Sequence, residues 1–362
     1  MSTPPLITPG PGQRTREISK RRRHRRRRLG AAGALLSLVL LAVALDVLLA
    51  GSSSEPAHGS TRRAHHARTP RAAVALSPAG LALSKPAFPL SGLASPLPDP
   101  VHVVLHHPPR AALLFNLDTG QVLWQLRPLQ RVRVASLTKM MTALITVQSE
   151  PPAVPVLVTP QAVAMDGSKV GVLPLGRHVP LESLLYGLML PSGNDAAVAL
   201  AQKVAGTVPA FVARMNSEAA SLGLGCTRYS SPSGFYDAGN FSCAADLAVL
   251  AHVDLAEPRI ARVARTYSAA PRFPIRGGRL YLYNNNPLLI YHYPGATGLK
   301  TGWTEAAGRC LVGTAERDGV RLGAVVLDSV EPGRQARALL NAGFIGYYHQ
   351  RPVREAEFPP GA

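Results

Sequence analysis

Three short strings hold the groups from which an amide-cleaving site can be built: Ser136-Leu137-Thr138-Lys139, Ser192-Gly193-Asn194 and Lys300-Thr301-Gly302. Residues three apart on a helix share a face one turn apart, so the Lys139 amine can reach the Ser136 hydroxyl. A serine hydroxyl is a weak nucleophile until a base takes its proton. Lysine can be that base only when burial or a second cation lowers its pKa, and Lys300 is a candidate for that cation. A helix starting at Ser136 would also aim backbone N–H groups at a developing oxyanion. Ser192 offers a proton-relaying hydroxyl and Asn194 an amide for a substrate amide. Lys300 and Thr301 offer a cation and a hydroxyl to a carboxylate, and Gly302 permits close backbone approach. Singly, each string is ordinary: a solvated helix face, a Ser/Asn turn, a polar turn. Ser-x-x-Lys alone arises about once by chance in a chain of this length.

The elements that must position these groups are readable in part. Ala111–Phe115 and Val122–Gln125 are apolar runs split by Asp118-Thr119-Gly120, which reads as a hairpin. Helical periodicity runs from Ala135 to Val147. A second helix is expected over Pro180–Leu190, and a third over Pro209–Leu222 with Gly223 as its stop. Arg309–Glu316 and Val320–Leu327 alternate around Arg317-Asp318-Gly319, a second hairpin, and Lys300-Thr301-Gly302 precedes this strand-rich segment. Arg334–Ala342 is a closing helix ending at Gly343. Strands at both ends with helices between imply an α+β fold in which the first and last strands share one sheet.

The chain has 362 residues, 46% of them apolar, enough for a sizeable core. Its net charge of +18 invites a nucleic-acid reading, but the first thirty residues hold ten Lys/Arg and one acid, half the total. That run directly precedes the apolar stretch Leu29–Leu49, so it reads as a membrane-topology signal, and no nucleic-acid partner is expected. About twenty apolar residues span a bilayer. Residues 29–50 are therefore expected to be a signal anchor, or a signal peptide cleaved after Ala42-Val43-Ala44, with residues 1–28 cytoplasmic and the rest exported. Residues 51–107, rich in Pro, Ala, Ser and His, read as a linker. The folded domain is expected over 108–348, with 349–362 a short tail. Of the cysteines at 226, 243 and 310, Cys226 and Cys243 are close in sequence and are the pair expected if a disulfide forms outside the membrane. The alternative is three buried thiols. No Cys-x-x-Cys or His-rich cluster points to a metal, and no cofactor is expected.

Ser-x-x-Lys, Ser-x-Asn and Lys-Thr-Gly in this order resemble the signature set of penicillin-binding proteins and class A β-lactamases. The flanks extend the resemblance. Ala135–Ala143 (ASLTKMMTA), Leu184–Ala197 (LLYGLMLPSGNDAA), Asn284–Leu289 (NNNPLL) and Gly298–Gly308 (GLKTGWTEAAG) are similar to the D-alanyl-D-alanine carboxypeptidase family, over roughly residues 108–348. The resemblance implies a serine β-lactamase/DD-peptidase-like fold: an antiparallel sheet flanked by helices, with an inserted helical region.

It also implies roles. Ser136 would attack the bond between two D-alanines of a peptidoglycan stem peptide, and Lys139 would take its proton. The backbone N–H groups of Ser136 and Trp303 would form the oxyanion hole. Ser192 would protonate the leaving D-alanine, with Lys300 tuning the field. Asn194 would bind the acyl-side amide, and Thr301 would grip the terminal carboxylate. Arg334, in Gly333-Arg334-Gln335-Ala336, resembles a carboxylate-binding arginine of the family. Its alternative is a solvent-facing arginine at a helix start. β-Lactams would acylate Ser136. Two rivals remain. A class A-like β-lactamase needs a Glu-x-x-x-Asn-type loop after the second motif, but Glu218 is the only Glu between Asn194 and Asp246, and Leu222 stands four residues later. A non-catalytic penicillin-sensing or wall-binding domain would not need Ser136, Lys139, Ser192 and Lys300 together.

Overall fold

The computed structural model describes residues 88–235, 238–354 and 357–362. Residues 1–28, the apolar stretch 29–50 and the linker as far as residue 87 lie outside the described residues. Among the described residues no single helix is long and apolar enough to cross a membrane.

The centre of the domain is a five-stranded antiparallel sheet. Its strands are β1 (Ala111–Asn116), β2 (Val122–Leu126), β3 (Ala296–Thr304), β4 (Gly308–Arg317) and β5 (Val320–Ser329), in the order β2-β1-β5-β4-β3. The first and last strands pair directly, Ala111 opposite Leu327 and Asn116 opposite Leu322. All six β1 residues are buried, because the sheet is covered on both faces. Leu113 and Phe115 join the large helical core, while Ala112 and Leu114 face the opposite cluster with Leu339, Leu340 and Phe344. The β4–β5 hairpin turns on Asp318 and Gly319, both at positive φ (47° and 74°), the conformation a two-residue primed turn requires.

Six helices carry most of the remaining structure: α1 (Lys139–Ser149), α2 (Leu181–Met189), α3 (Asn194–Ala205), α4 (Val208–Ser221), α5 (Ala244–Ala256) and α6 (Pro332–Asn341). Thr207 caps α4, its hydroxyl accepting from Ala210 N at 3.2 Å, and Gly223 follows at φ 71°. α1 and α5 lie in the core between the sheet and the other helices.

Several sequence expectations need adjustment. The linker boundary at 107 is too late: Phe88 is buried and stacked on His252 (centroids 3.9 Å apart), and Val101 N donates to Leu123 O at 3.1 Å. Residues 88–107 therefore belong to the packed domain. The first helix opens as a 3₁₀ turn, Ala135–Thr138. Lys300-Thr301-Gly302 lies inside β3 instead of preceding the strands. Gly343 does not stop the closing helix, which continues as a wider π turn over Ala342–Tyr347. A Cβ at Gly343 would come 2.6 Å from Leu322 Cδ1, so close packing on the sheet explains the glycine. Cys226 and Cys243 are joined in a disulfide that closes a loop of sequence separation 17, and Cys310 is a buried free thiol.

Asp254, in α5, is fully buried, and neither carboxylate oxygen has a hydrogen-bond partner among the described residues. Burial, and then the Glu257 charge, push its pKa well above the ordinary carboxylate value. The unfolded chain ionises this group above about pH 4 while the folded chain resists, so stability falls as pH rises. Asp254→Asn is expected to raise Tm by about 2–4 °C at pH 7 and by nothing near pH 4. Thermal melts of both proteins across that range test this; equal melting temperatures at every pH would refute it.

Candidate active site

The 3₁₀ turn Ala135–Thr138 places Ser136 at the entrance to α1. Thr138 Oγ1 donates to Ala135 O at 2.8 Å and Leu137 N donates to Val134 O at 3.1 Å, which tighten the turn. The loop over it is equally constrained. Gly234 has φ 74°, and a Cβ there would overlap the Ala135 carbonyl. On the other side lies β3, the edge strand. A Cβ on Gly302 would stand 2.9 Å from Val134 O and 3.0 Å from Ser136 N, so only glycine lets this strand lie against the serine backbone.

Lys139 is fully buried. Its Nζ lies 2.8 Å from Ser136 Oγ, 2.7 Å from Asn194 Oδ1 and 2.9 Å from Ser233 O. Burial, then the charge of Lys300, hold its pKa well below the usual lysine value, against an opposing pull from Asp195. Nζ donates to all three oxygens. Asn194 Oδ1 and Ser233 O can only accept, so when Lys139 loses a proton its two remaining N–H groups stay with them and the lone pair falls to the Ser136 hydroxyl.

Asn194 opens α3. Its Nδ2 donates to Asp166 O at 2.6 Å, which leaves one amide hydrogen for another acceptor. The neighbouring Asp195 carboxylate accepts from Val170 N (2.9 Å), Gly171 N (3.0 Å) and Ala196 N (2.8 Å), pinning the 166–171 loop beside the site. Ser192 is held at φ 66°, unusual for serine, and its buried Oγ has no hydrogen-bond partner among the described residues. Lys300 is buried in β3 with its Nζ donating to Thr301 O at 2.9 Å, and burial lowers its pKa to about 7.

Ser136, Ser192, Thr301 and Trp303 line one cavity of about 350 Å³. Trp303 is 65% exposed on its rim. Lys139 and Asn194 sit behind this wall, tied to Ser136. Arg334 is placed differently. It is half-exposed, its Nη1 is 3.5 Å from Glu331 Oε2, and it does not line the cavity. Arg309 does, from β4 opposite Trp303, with Nη1 donating to Val330 O (3.0 Å) and Gly361 O (2.6 Å). Gly361 and Ala362 complete that end, and Ala362 O accepts from Gly333 N at 2.9 Å at the start of α6. Cys226–Cys243 lies away from this cavity's lining.

Sequence reasoning missed Asp166, Asp195, Ser233 and Arg309. Asp195 was detectable as the acid directly after Ser192-Gly193-Asn194. Ser233 contributes a backbone carbonyl from a distant loop, which no side-chain pattern signals.

A serine bound to a buried lysine beside a second buried lysine defines the architecture. The family model for D-alanyl-D-alanine carboxypeptidases, peptidase S11, matches residues 101–331. The chain belongs to this family. It is 33% identical over 251 residues to the D-alanyl-D-alanine carboxypeptidase DacF of Bacillus subtilis, across 67% of this chain and 64% of that one. It thus spans slightly less than two thirds of that relative's length. A D-alanyl-D-alanine endopeptidase of Pseudomonas aeruginosa is 34% identical over 224 residues, 60% of this chain and 71% of that protein. A Streptomyces K15 DD-transpeptidase variant superposes with a TM-score of 0.62 at 31% identity, covering 67% of this chain and 99% of that one. The fold is that of these DD-peptidase structures: an antiparallel sheet with helices on both faces.

The Asp195 clamp on the 166–171 loop has a measurable cost of removal. Asp195→Ala would strip a buried acceptor from three N–H groups and is expected to lower Tm by about 5–10 °C. Amide hydrogen exchange at Val170 and Gly171 should accelerate with it. Unchanged protection at both amides would show that the loop holds itself.

Proposed function

We propose that the protein is an exported serine-type D-Ala-D-Ala carboxypeptidase that removes the terminal D-alanine of peptidoglycan stem peptides. The observation that carries this reading is the 2.8 Å approach of a fully buried, pKa-lowered Lys139 to Ser136 Oγ. Family membership supports the chemistry. The endopeptidase and transpeptidase relatives use the same framework, so the choice of bond and acceptor rests on this proposal.

The steps follow from the geometry. Ser136 Oγ bonds to the carbonyl carbon of the penultimate D-alanine while its proton passes to Lys139 Nζ. Charge gathers on the carbonyl oxygen, which the backbone N–H groups of Ser136 and Trp303 would receive; Gly302 keeps β3 close to Ser136 N. The C–N bond breaks as the departing amine takes a proton through Ser192 Oγ, whose unmatched buried hydroxyl is free to relay it. Lys139 is thereby returned to its neutral state. Water then attacks the acyl-enzyme and gives its proton to Lys139, which passes it to Ser136 Oγ as the ester C–O bond breaks. Thr301 holds the terminal carboxylate, with Arg309 or Arg334 adding charge from the same end. Asn194 presents its remaining amide hydrogen to the acyl-side carbonyl. β-Lactams enter the same cavity and acylate Ser136. No Asp or Glu side chain stands among the described residues lining the cavity to drive rapid deacylation, which favours the peptidase over a β-lactamase.

Residues 88–362 incubated with a D-Ala-D-Ala pentapeptide should lose one alanine by mass spectrometry, and penicillin should leave an adduct on Ser136. Both should vanish in Ser136→Ala. Fast, many-turnover penicillin hydrolysis would instead identify a β-lactamase, and activity surviving Ser136→Ala would reject the serine mechanism. The Lys300 charge predicts a pH effect. It disfavours protonation of Lys139, so Lys300→Gln should raise the Lys139 pKa and move the acid limb of penicillin acylation to higher pH. Neutral-pH acylation should fall about tenfold or more. A slower reaction with an unmoved limb would assign Lys300 to substrate binding alone.

A further inference from the structure

The cavity described above is lined by Ser136. A second hollow, of about 450 Å³, is lined by its neighbour Ala135 together with Arg133, Gly234, Thr304, Glu305 and Ala306 and nearby loop residues. It shares Arg133, Ala238 and Ala306 with a third, of about 470 Å³, which adds Arg110 and Arg131. The two form one trough. It starts at Ala135, next to Ser136, and ends among three arginines.

The charges are unevenly committed. Arg131 donates to Gly225 O at 2.8 Å and lies over the Phe241 ring at 5.4 Å. Arg110 is 3.8 Å from Asp328. Arg133 is exposed, stands on both hollows and has no ion pair among the described residues. Glu305 is the one acid among the described residues that line the trough. Among the described residues, Glu305 alone competes with an entering anion for the Arg133 fork.

Strand β3 gives the trough a direction. Its outer edge is unpaired in the sheet, so an extended peptide can be laid along it as an added strand. Thr301, Gly302 and Trp303 border the first cavity, and Thr304, Glu305 and Ala306 border the trough. At about 3.3 Å per residue, Thr304–Glu305 lies roughly two to three residues from the bond poised at Ser136. With the terminal carboxylate at Thr301, the upstream part of the peptide runs into the trough, antiparallel to β3.

We propose, resting on the peptidase reading, that this trough seats the acyl-side peptide and that Arg133 reads a carboxylate carried two or three residues upstream of the scissile bond. Arg133 is then a specificity-determining residue that selects acidic stem peptides over amidated or cationic ones. The remaining arginines supply a field along the trough and are already partly tied to the protein.

The test uses two substrate pairs. In acetyl-L-Ala-γ-D-Glu-L-Lys-D-Ala-D-Ala the glutamyl α-carboxylate is either free or amidated. In the second pair the third residue is L-lysine or meso-diaminopimelate. The acidic member of at least one pair should be preferred about five- to tenfold in kcat/KM, mainly through KM, and the preference should shrink with added salt. In Arg133→Gln the ratio within that pair should fall to about one, and in Arg133→Glu it should invert. No preference in either pair, or one that survives both substitutions, overturns the assignment. Should the variants fail to fold, a wild-type ratio insensitive to salt overturns it equally. Failure of every peptide to lose D-alanine, together with no penicillin adduct on Ser136, would instead sink the peptidase reading and this assignment with it.

Discussion

The proposed chemistry depends on one constraint: Lys139 must be kept out of water. A solvated lysine is an ammonium ion and cannot take a proton from serine. Full burial removes hydration from the charged form, and a second buried cation at Lys300 penalises that form further. Three oxygens hold the buried nitrogen in place: Asn194 Oδ1, Ser233 O and the hydroxyl of Ser136. Those partners come from the 3₁₀ turn before α1, the start of α3 and the loop before residue 235. Three stretches of chain are thus fixed relative to one another by one nitrogen atom, and their order in the sequence is unrelated to their meeting in space.

The sheet supplies the other half. β3 is an edge strand, and an uncovered edge would ordinarily invite unwanted pairing. Here the 3₁₀ turn holding Ser136 lies against it at Gly302, and only Trp303 of its nine residues is exposed. The β4 and β5 strands behind it are long, buried and closely registered, so the edge is carried on a stiff support. The Ser136 hydroxyl on a helix start and the Gly302 backbone on a strand keep their spacing because both are anchored in the same core.

The sequence made the side-chain chemistry legible because the three strings are local: serine and lysine one helical turn apart, serine and asparagine in one turn, lysine and threonine on one strand. The two hairpins were equally visible, since Asp118-Thr119-Gly120 and Arg317-Asp318-Gly319 interrupt clean apolar runs. What stayed hidden is non-local. Ser233 acts through its backbone carbonyl, Asp195 through hydrogen bonds to a loop 24 and 25 residues away, and Arg309 through the register of β4 on β3. Residues 88–107 read as linker because their Pro- and Ser-rich composition masks isolated anchors, Phe88 and Val101, that have no period to betray them. Gly343 misled for a related reason: a glycine chosen for close packing looks the same in sequence as one chosen to end a helix.

The short run Pro359–Ala362 meets the first cavity where Arg309 and the opening turn of α6 receive Gly361 and Ala362. In laboratory handling this decides where a fusion can be joined. A purification tag or fluorescent reporter spliced after Ala362 would emerge at the lining of that cavity, beside the first N–H groups of α6. Joined ahead of residue 88, the same fusion would leave that lining clear.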